Sequence, residues 1–127
     1  MSGITKERIV VEIVLGIDRN FARQDDKHKA LEDLDTKITR RIGGITRTNA
    51  VGTWTSGSQD GEYSGEIERD DSYLYTLSLM PDEEDEILAG VRADITQVVR
   101  QYDLPVDHVH INRYPTTEAI FSISDQP

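Results

Sequence analysis

No cysteine occurs in the 127 residues. That excludes disulfides, thiolate metal sites, iron–sulfur clusters and cysteine nucleophiles. No run of about 18 apolar residues occurs either, so no transmembrane helix is expected. The opening Met1-Ser-Gly-Ile-Thr-Lys-Glu-Arg8 lacks the long apolar core and small-residue cleavage site of a secretory signal. A cytoplasmic protein is therefore expected, or one carried in a virion assembled in cytoplasm. Lysine is scarce, four residues against ten arginines. Arg40, Arg41 and Arg47 are the only basic concentration, and the first two fall near the end of an expected helix, where cations complement the negative dipole end. Binding to free DNA or RNA rests on Lys and Arg displacing counterions from phosphates, so neither nucleic acid nor a membrane is an expected partner.

What is abundant is acid. Asp and Glu number 24 against 14 Lys and Arg, for a formal net charge of −10. Like charge at that density weakens a compact state through self-repulsion. In molar salt the screening length falls to about 3 Å and the repulsion largely disappears. An acid-rich, lysine-poor composition of this kind fits a protein of a salt-accumulating halophile. A chain of this length builds one domain with one core.

Hydrophobic periodicity places the elements. Arg8 to Leu15 is rich in β-branched residues, with Ile9, Val11, Ile13 and Leu15 on one face and Val10, Glu12 and Val14 on the other. Both faces are largely apolar, which predicts a central strand. A loop is expected from Gly16 to Gln24, then a helix from about Lys27 capped by Asp25 or Asp26. Leu31, Leu34, Ile38 and Ile42 form its stripe, and Gly43-Gly44 stops it. Ile45–Thr55 reads as a strand, Ser56–Gly61 as a turn cluster and Tyr63–Arg69 as a strand, followed by a turn or bulge at Asp70-Asp71. Ser72–Leu79 is the clearest strand, with Tyr73, Tyr75, Leu77 and Leu79 on one face. Pro81-Asp-Glu-Glu-Asp-Glu86 opens a second helix, since proline and acids suit a first turn. Its stripe is Ile87, Leu88, Val91, Ile95, Val98, Val99 and Tyr102. Val106–Arg113 and Glu118–Ser124 are expected as strands separated at Tyr114-Pro115. The fold class is therefore α+β and ferredoxin-like: βαββαβ with an extra strand, a mostly antiparallel sheet, and two helices on one face. The other sheet face is left bare, and Val10, Val14 and some aromatics are expected to line it.

His108-Val109-His110 is the sharpest chemical candidate. Residues two apart on a strand point the same way, so both imidazoles could ligate a divalent metal with help from Asp107, Asn112 or a neighbouring acid. The plainer reading places the same pair at the solvent or subunit face of a strand. Asp70-Asp71, Glu66 with Glu68, and Asp82 to Glu86 could be drawn as acid–base pairs, but in so acidic a chain solvated surface explains them as well. There is no G-x-S-x-G elbow and no phosphate loop. Trp54, Tyr63, Tyr73 and Tyr75 fit core packing first, a protein interface second, and base stacking last.

Gly44-Ile-Thr46, then Gly52-Thr-Trp54, then Gly61, then Ser72 with its alternating strand together resemble a small uncharacterised family of ferredoxin-like domains in bacterial, phage or haloarchaeal genomes. The likeness covers about the middle third of the chain. It implies a fold and no catalytic residues, since that family has no established activity. The expected function is that of a non-enzymatic, self-associating interaction or assembly module of a halophilic archaeon or its virus, without a cofactor, forming homo-oligomers or joining other subunits through Trp54, Tyr63, Tyr73 and Tyr75. The alternative is a small metal-binding protein or enzyme using His108 and His110. A third reading is a small-ligand sensor with a cleft between subunits.

Overall fold

The computed structural model describes residues 3–55, 61, 63, 65–106 and 108–127. Strand β1 (Gly3–Asp18) leads to helix α1 (Gln24–Ile42), strand β2 (Thr46–Thr55) and strand β3 (Ile67–Leu79). A short 3-10 turn at Pro81–Glu83 then opens helix α2 (Glu84–Gln101), and strand β4 (Val109–Phe121) closes the fold. The sheet order is β2-β3-β1-β4, and every neighbouring pair is antiparallel. This is the ferredoxin-like arrangement, with two βαβ crossovers interleaved so that β1 and β3 lie at the centre.

Alternation decides which side is buried. Val11, Ile13, Leu15 and Ile17 of β1 and Tyr73, Tyr75, Leu77 and Leu79 of β3 form one buried layer. Onto it pack Leu31, Leu34 and Ile38 of α1 and Leu88, Val91, Ile95 and Val98 of α2. Each helix therefore spends a single stripe on the sheet, as its three-and-four spacing requires. Gly43 ends α1 at φ 93°, a left-handed conformation that glycine adopts without a Cβ clash, and its N–H donates to the Thr39 carbonyl.

Polar side chains tie the layers together. Lys27 is buried and reaches Asp71 at 3.2 Å; burial opposes its charge, but hydrogen bonds to Tyr73 and Asp71 outweigh that and hold its pKa above the usual lysine value. Arg41 does more than complement a helix dipole. Its guanidinium grips Asp94 of α2 at 2.9 and 3.1 Å, lying where a Cβ on Gly90 would stand. Glu84, buried at the start of α2, is bound by Arg113 of β4, and that contact keeps its carboxyl below the ordinary glutamate range.

Several boundaries differ from the sequence expectation. Helix α1 begins at Gln24, with no side-chain cap, and Asp25 and Asp26 lie inside its first turn. Strand β1 runs on through Gly16 to Asp18. Asp70 and Asp71 are not a turn: β3 passes straight through them, with Asp70 opposite Asp18 and Asp71 opposite Ile17. Pro115 does not break β4. It pairs in register with Ile9 on an edge strand, where a missing N–H can face outward. The described residues therefore form four strands, with no extra one. The turn cluster at 56–61, apart from Gly61, lies outside the described residues.

Candidate functional site

The face of the sheet away from the helices carries the even-numbered residues. Val14 of β1 sits between Leu74 of β3 and His110 of β4, and Leu74 in turn opposes Thr48 of β2. One register step along, Gly16 opposes Ser72, which opposes Ala50; a further step brings Asp18 opposite Asp70, which opposes Gly52. Trp54 follows on β2.

Trp54 and His110 come from the two edge strands. On a flat sheet those edges stand three spacings apart, about 14 Å. Yet the two rings stack with centroids 5.4 Å apart and planes within 8°. The register also sets Trp54 six residues along β2 from Thr48, the residue in line with His110, so the sheet must coil for the two rings to meet, and the concave side of that coil forms a trough on this face. Its floor has two glycines. A Cβ on Gly52 would stand 2.6 Å from Ser72 Oγ and 3.0 Å from Trp54 Nε1, and a Cβ on Gly16 would stand 2.8 Å from Asp70 Oδ2. Glycine inside a strand marks such close approach. At these two positions it lets Trp54 lie down over β2 and lets the Asp70 carboxylate lie over β1.

Ser72 Oγ is buried without a hydrogen-bond partner; Trp54 Nε1 makes no hydrogen bond of ordinary geometry but lies close enough to the Asp70 carboxyl to favour its charged form. Buried polar groups are nearly always satisfied, so the unmet Ser72 hydroxyl marks a place open to a further partner. The Asp70 carboxyl is pushed above the usual aspartate range. Burial is the main cause, the negative charges of Asp18 and Glu68 add to it, and the Trp54 indole opposes it. A carboxyl whose folded pKa is raised lowers stability on ionising, so this acid costs the fold stability at neutral pH and stops doing so once protonated. The other end of the face is closed by Arg8 and Glu118, which both bond Ser78 Oγ at 3.0 Å.

The residues singled out from sequence divide between the two sides. Trp54 is half-buried in the trough. Tyr73 and Tyr75 belong to the core and not to an interface, because odd positions of β3 face the helices. Tyr63 is exposed. His108 and His110 are both exposed, and His108 precedes β4. Asp107, the nearest helper for a metal, lies outside the described residues. No group of three or more His, Asp or Glu side chains gathers to hold a metal ion among the described residues. Asp82 and Glu83 lie in the 3-10 turn and Glu84 to Glu86 open α2, and only Glu84 among these acids is buried. Asp18 and Ser72 carry no site signal of their own in the sequence, and Asp70 enters there only with Asp71 as one of several acid–base pairs. The signal available in the sequence was a glycine interrupting each of two otherwise regular strands, Gly16 and Gly52.

The class of protein is therefore a ferredoxin-like α+β domain. No family model and no curated protein matches the chain, so the likeness to known proteins is one of fold. A phage SAM lyase in complex with S-methyl-5'-thioadenosine is similar over 91% of this chain and 90% of its own, at 11% identity and a TM-score of 0.54. The same kind of enzyme in its apo state matches with 10% identity over 91% and 90% of the two chains and a TM-score of 0.51. CutA from Synechococcus elongatus matches with 10% identity over 92% and 85%, and a TM-score of 0.44. Among the described residues no helix is long and apolar enough to cross a membrane.

Proposed function

We propose that this chain binds a small planar molecule in the trough beside Trp54 and His110. The observation that carries the reading is the buried, unpartnered Ser72 Oγ, which lies with the Trp54 indole against Gly52, beside the stacked pair of Trp54 and His110. A heterocycle slid against Trp54 gains a stacking face, while its ring nitrogens and amino groups meet the Ser72 hydroxyl. The phage SAM lyase that shares the fold holds S-methyl-5'-thioadenosine, which supports a purine nucleoside as the first probe. Trp54 is the only tryptophan in the chain, so intrinsic fluorescence reports on the trough alone. Titration with S-methyl-5'-thioadenosine is expected to change that fluorescence saturably, at one molecule per chain. No change up to millimolar nucleoside, or binding by calorimetry with the fluorescence untouched, would sink the reading.

A second reading, association between copies of the chain, is favoured by a different observation. Gly3–Arg8 of β1 pairs with Thr116–Phe121 of β4 beyond the point where β3 ends, at the pairing of Ile9 with Leu79. This two-stranded ribbon carries Ile4, Ile120 and Phe121, with Ile123 just beyond it, all more than half exposed. A lone ribbon is marginal in water and its free edge invites another strand. Association buries the apolar arm and continues the sheet. With −10 of charge on each copy, it strengthens as salt screens the repulsion, which suits a chain working in a concentrated-salt cytoplasm or a virion formed there. Light scattering in molar salt is expected to give a discrete multiple of 14.4 kDa. Ile120→Lys combined with Phe121→Lys is expected to reduce it to the monomer. A wild-type monomer at every salt concentration rules the reading out.

A further inference from the structure

Resting on the association reading above, we propose that the groove between α2 and β4 of one copy receives the end of the arm of another, with Phe121 and Ile123 on its apolar floor and Asp125 against an arginine at its rim. The groove lies on the helix side of the edge strand. Ile95 and Val99 of α2 line it together with Val109 and Ile111 of β4, and all but Ile95 are only half-buried. Its wider part measures about 480 Å³ and the adjoining part about 250 Å³, space for a phenylalanine and an isoleucine side chain. Arg92, Thr96 and Arg100 form the rim, and all three are exposed. They recur every fourth residue, so they share one side of α2 over about 12 Å. Among the described residues neither Arg92 nor Arg100 forms an ion pair, although Arg23, Arg41, Arg47 and Arg113 all do. In a chain with 24 acids, two such cations beside an apolar floor fit a segment that is apolar and acidic at once.

The chain carries such a segment itself. Phe121 is 60% exposed and Ile123 78%. Asp125, two residues further on, is exposed and in no ion pair among the described residues. The segment cannot fill its own groove. Groove and arm stand at opposite ends of β4, and Phe121 lies ten residues beyond Ile111, about 33 Å along the strand. The occupant is therefore a second copy. Docking takes apolar surface out of water on both partners. It also sets an acid against an arginine, where most contacts between two copies of a −10 chain would set acid against acid. Arm and groove are different patches of the surface, so each copy gives one arm and receives one, in a reciprocal pair or a closed ring.

The chain has no cysteine, so introduced cysteines report the contact directly. Thr96→Cys and Ile123→Cys in one chain are expected to form disulfides between copies on mild oxidation in molar salt, seen as multiples of 14.4 kDa on non-reducing gels. Either substitution alone is expected to leave the chain uncrosslinked, because two grooves or two arms do not meet. Thr96→Trp fills the groove from an exposed helix position and is expected to weaken association more than about tenfold by light scattering. Arg92→Gln combined with Arg100→Gln is expected to weaken it about threefold, the factor of one exposed ion pair. Circular dichroism checks that each variant is folded. A wild-type monomer at every salt concentration overturns the association reading and this proposal together. Wild-type assembly without a crosslink in the double-cysteine chain overturns the groove as its seat and leaves association standing, and so does folded Thr96→Trp that assembles like wild type. Crosslinking of Ile123→Cys alone would show arm against arm and overturn the proposal as well.

Discussion

Gly52→Val is expected to abolish nucleoside binding while leaving the chain folded. The point a new Cβ would occupy lies 2.6 Å from Ser72 Oγ and 3.0 Å from Trp54 Nε1. Both are closer than side-chain carbon normally comes to a polar atom. Ser72 cannot retreat, because it is held on the central β3 between Gly16 and Ala50. Trp54 sits near the end of an edge strand and is free to swing out. The substitution therefore fills the trough with two methyl groups and unstacks the indole from His110. Trp54→Ala supplies the scale: loss of a ring–ring stack costs about 1–3 kcal/mol, roughly a 5- to 150-fold weaker complex. Gly52→Val is expected to exceed that, because it removes the stack and also blocks the unpartnered Ser72 hydroxyl. Circular dichroism and urea unfolding separate the effect from misfolding, since overpacking costs about 1–3 kcal/mol against a typical domain stability of about 5–15 kcal/mol. Binding equal to wild type in folded Gly52→Val would place the ligand elsewhere.

That experiment acts on residues whose relationship no local pattern could reveal. The architecture was legible because its determinants are periodic. Ile9 to Leu15 and Ser72 to Leu79 alternate, and Leu31, Leu34 and Ile38 recur at helical spacing, so the strands, the helices and the buried side follow from counting. The errors arose where a residue's local preference and its tertiary setting disagree. Asp70-Asp71 has the composition of a turn, but β3 continues because each carboxylate has a face to occupy: Asp71 toward Lys27, Asp70 over Gly16. Pro115 is a strand breaker in a central position and tolerated on the β4 edge. Only the sheet order decides which applies. The trough is further from reach. Trp54 and His110 meet across three strand spacings because the sheet curls, and curl is a property of the whole assembly of strands. His108 and His110 drew notice as a pair, yet the partner of His110 in the structure is an indole from the far edge.

The curl in turn depends on the core that holds β3 and β2 together, and Tyr75 is the residue through which that dependence is best measured. Its ring is completely buried on the helix side of β3, and its hydroxyl donates to Asp35 of α1 at 2.8 Å. Burial, and secondarily that bond, push the phenol pKa far above the ordinary tyrosine value, so it donates at every accessible pH. Asp35 is also held by Arg47 of β2 at 3.2 Å, and Arg47 lies over the Tyr73 ring. One carboxylate thus joins the first helix, the central strand and the edge strand that carries Gly52 and Trp54. Tyr75→Ala deletes the largest fully buried side chain and is expected to cost about 3–5 kcal/mol by urea unfolding. Tyr75→Phe keeps the ring and loses only the hydroxyl bond. Asp35 retains Arg47 and is partly solvated, so the cost is expected near 1 kcal/mol, the net value of an ordinary hydrogen bond. The two variants separate packing from the polar link. A loss under about 1.5 kcal/mol for Tyr75→Ala would mean the ring is not the packed centre of the sheet, because a truncation that small leaves no room for the cavity term. If instead Tyr75→Phe were as damaging as Tyr75→Ala, the Asp35 link and not the core would be what fixes β2 against β3. In that case the stacking of Trp54 on His110 should weaken in Tyr75→Phe as well, and the tryptophan fluorescence of the unliganded protein would show it.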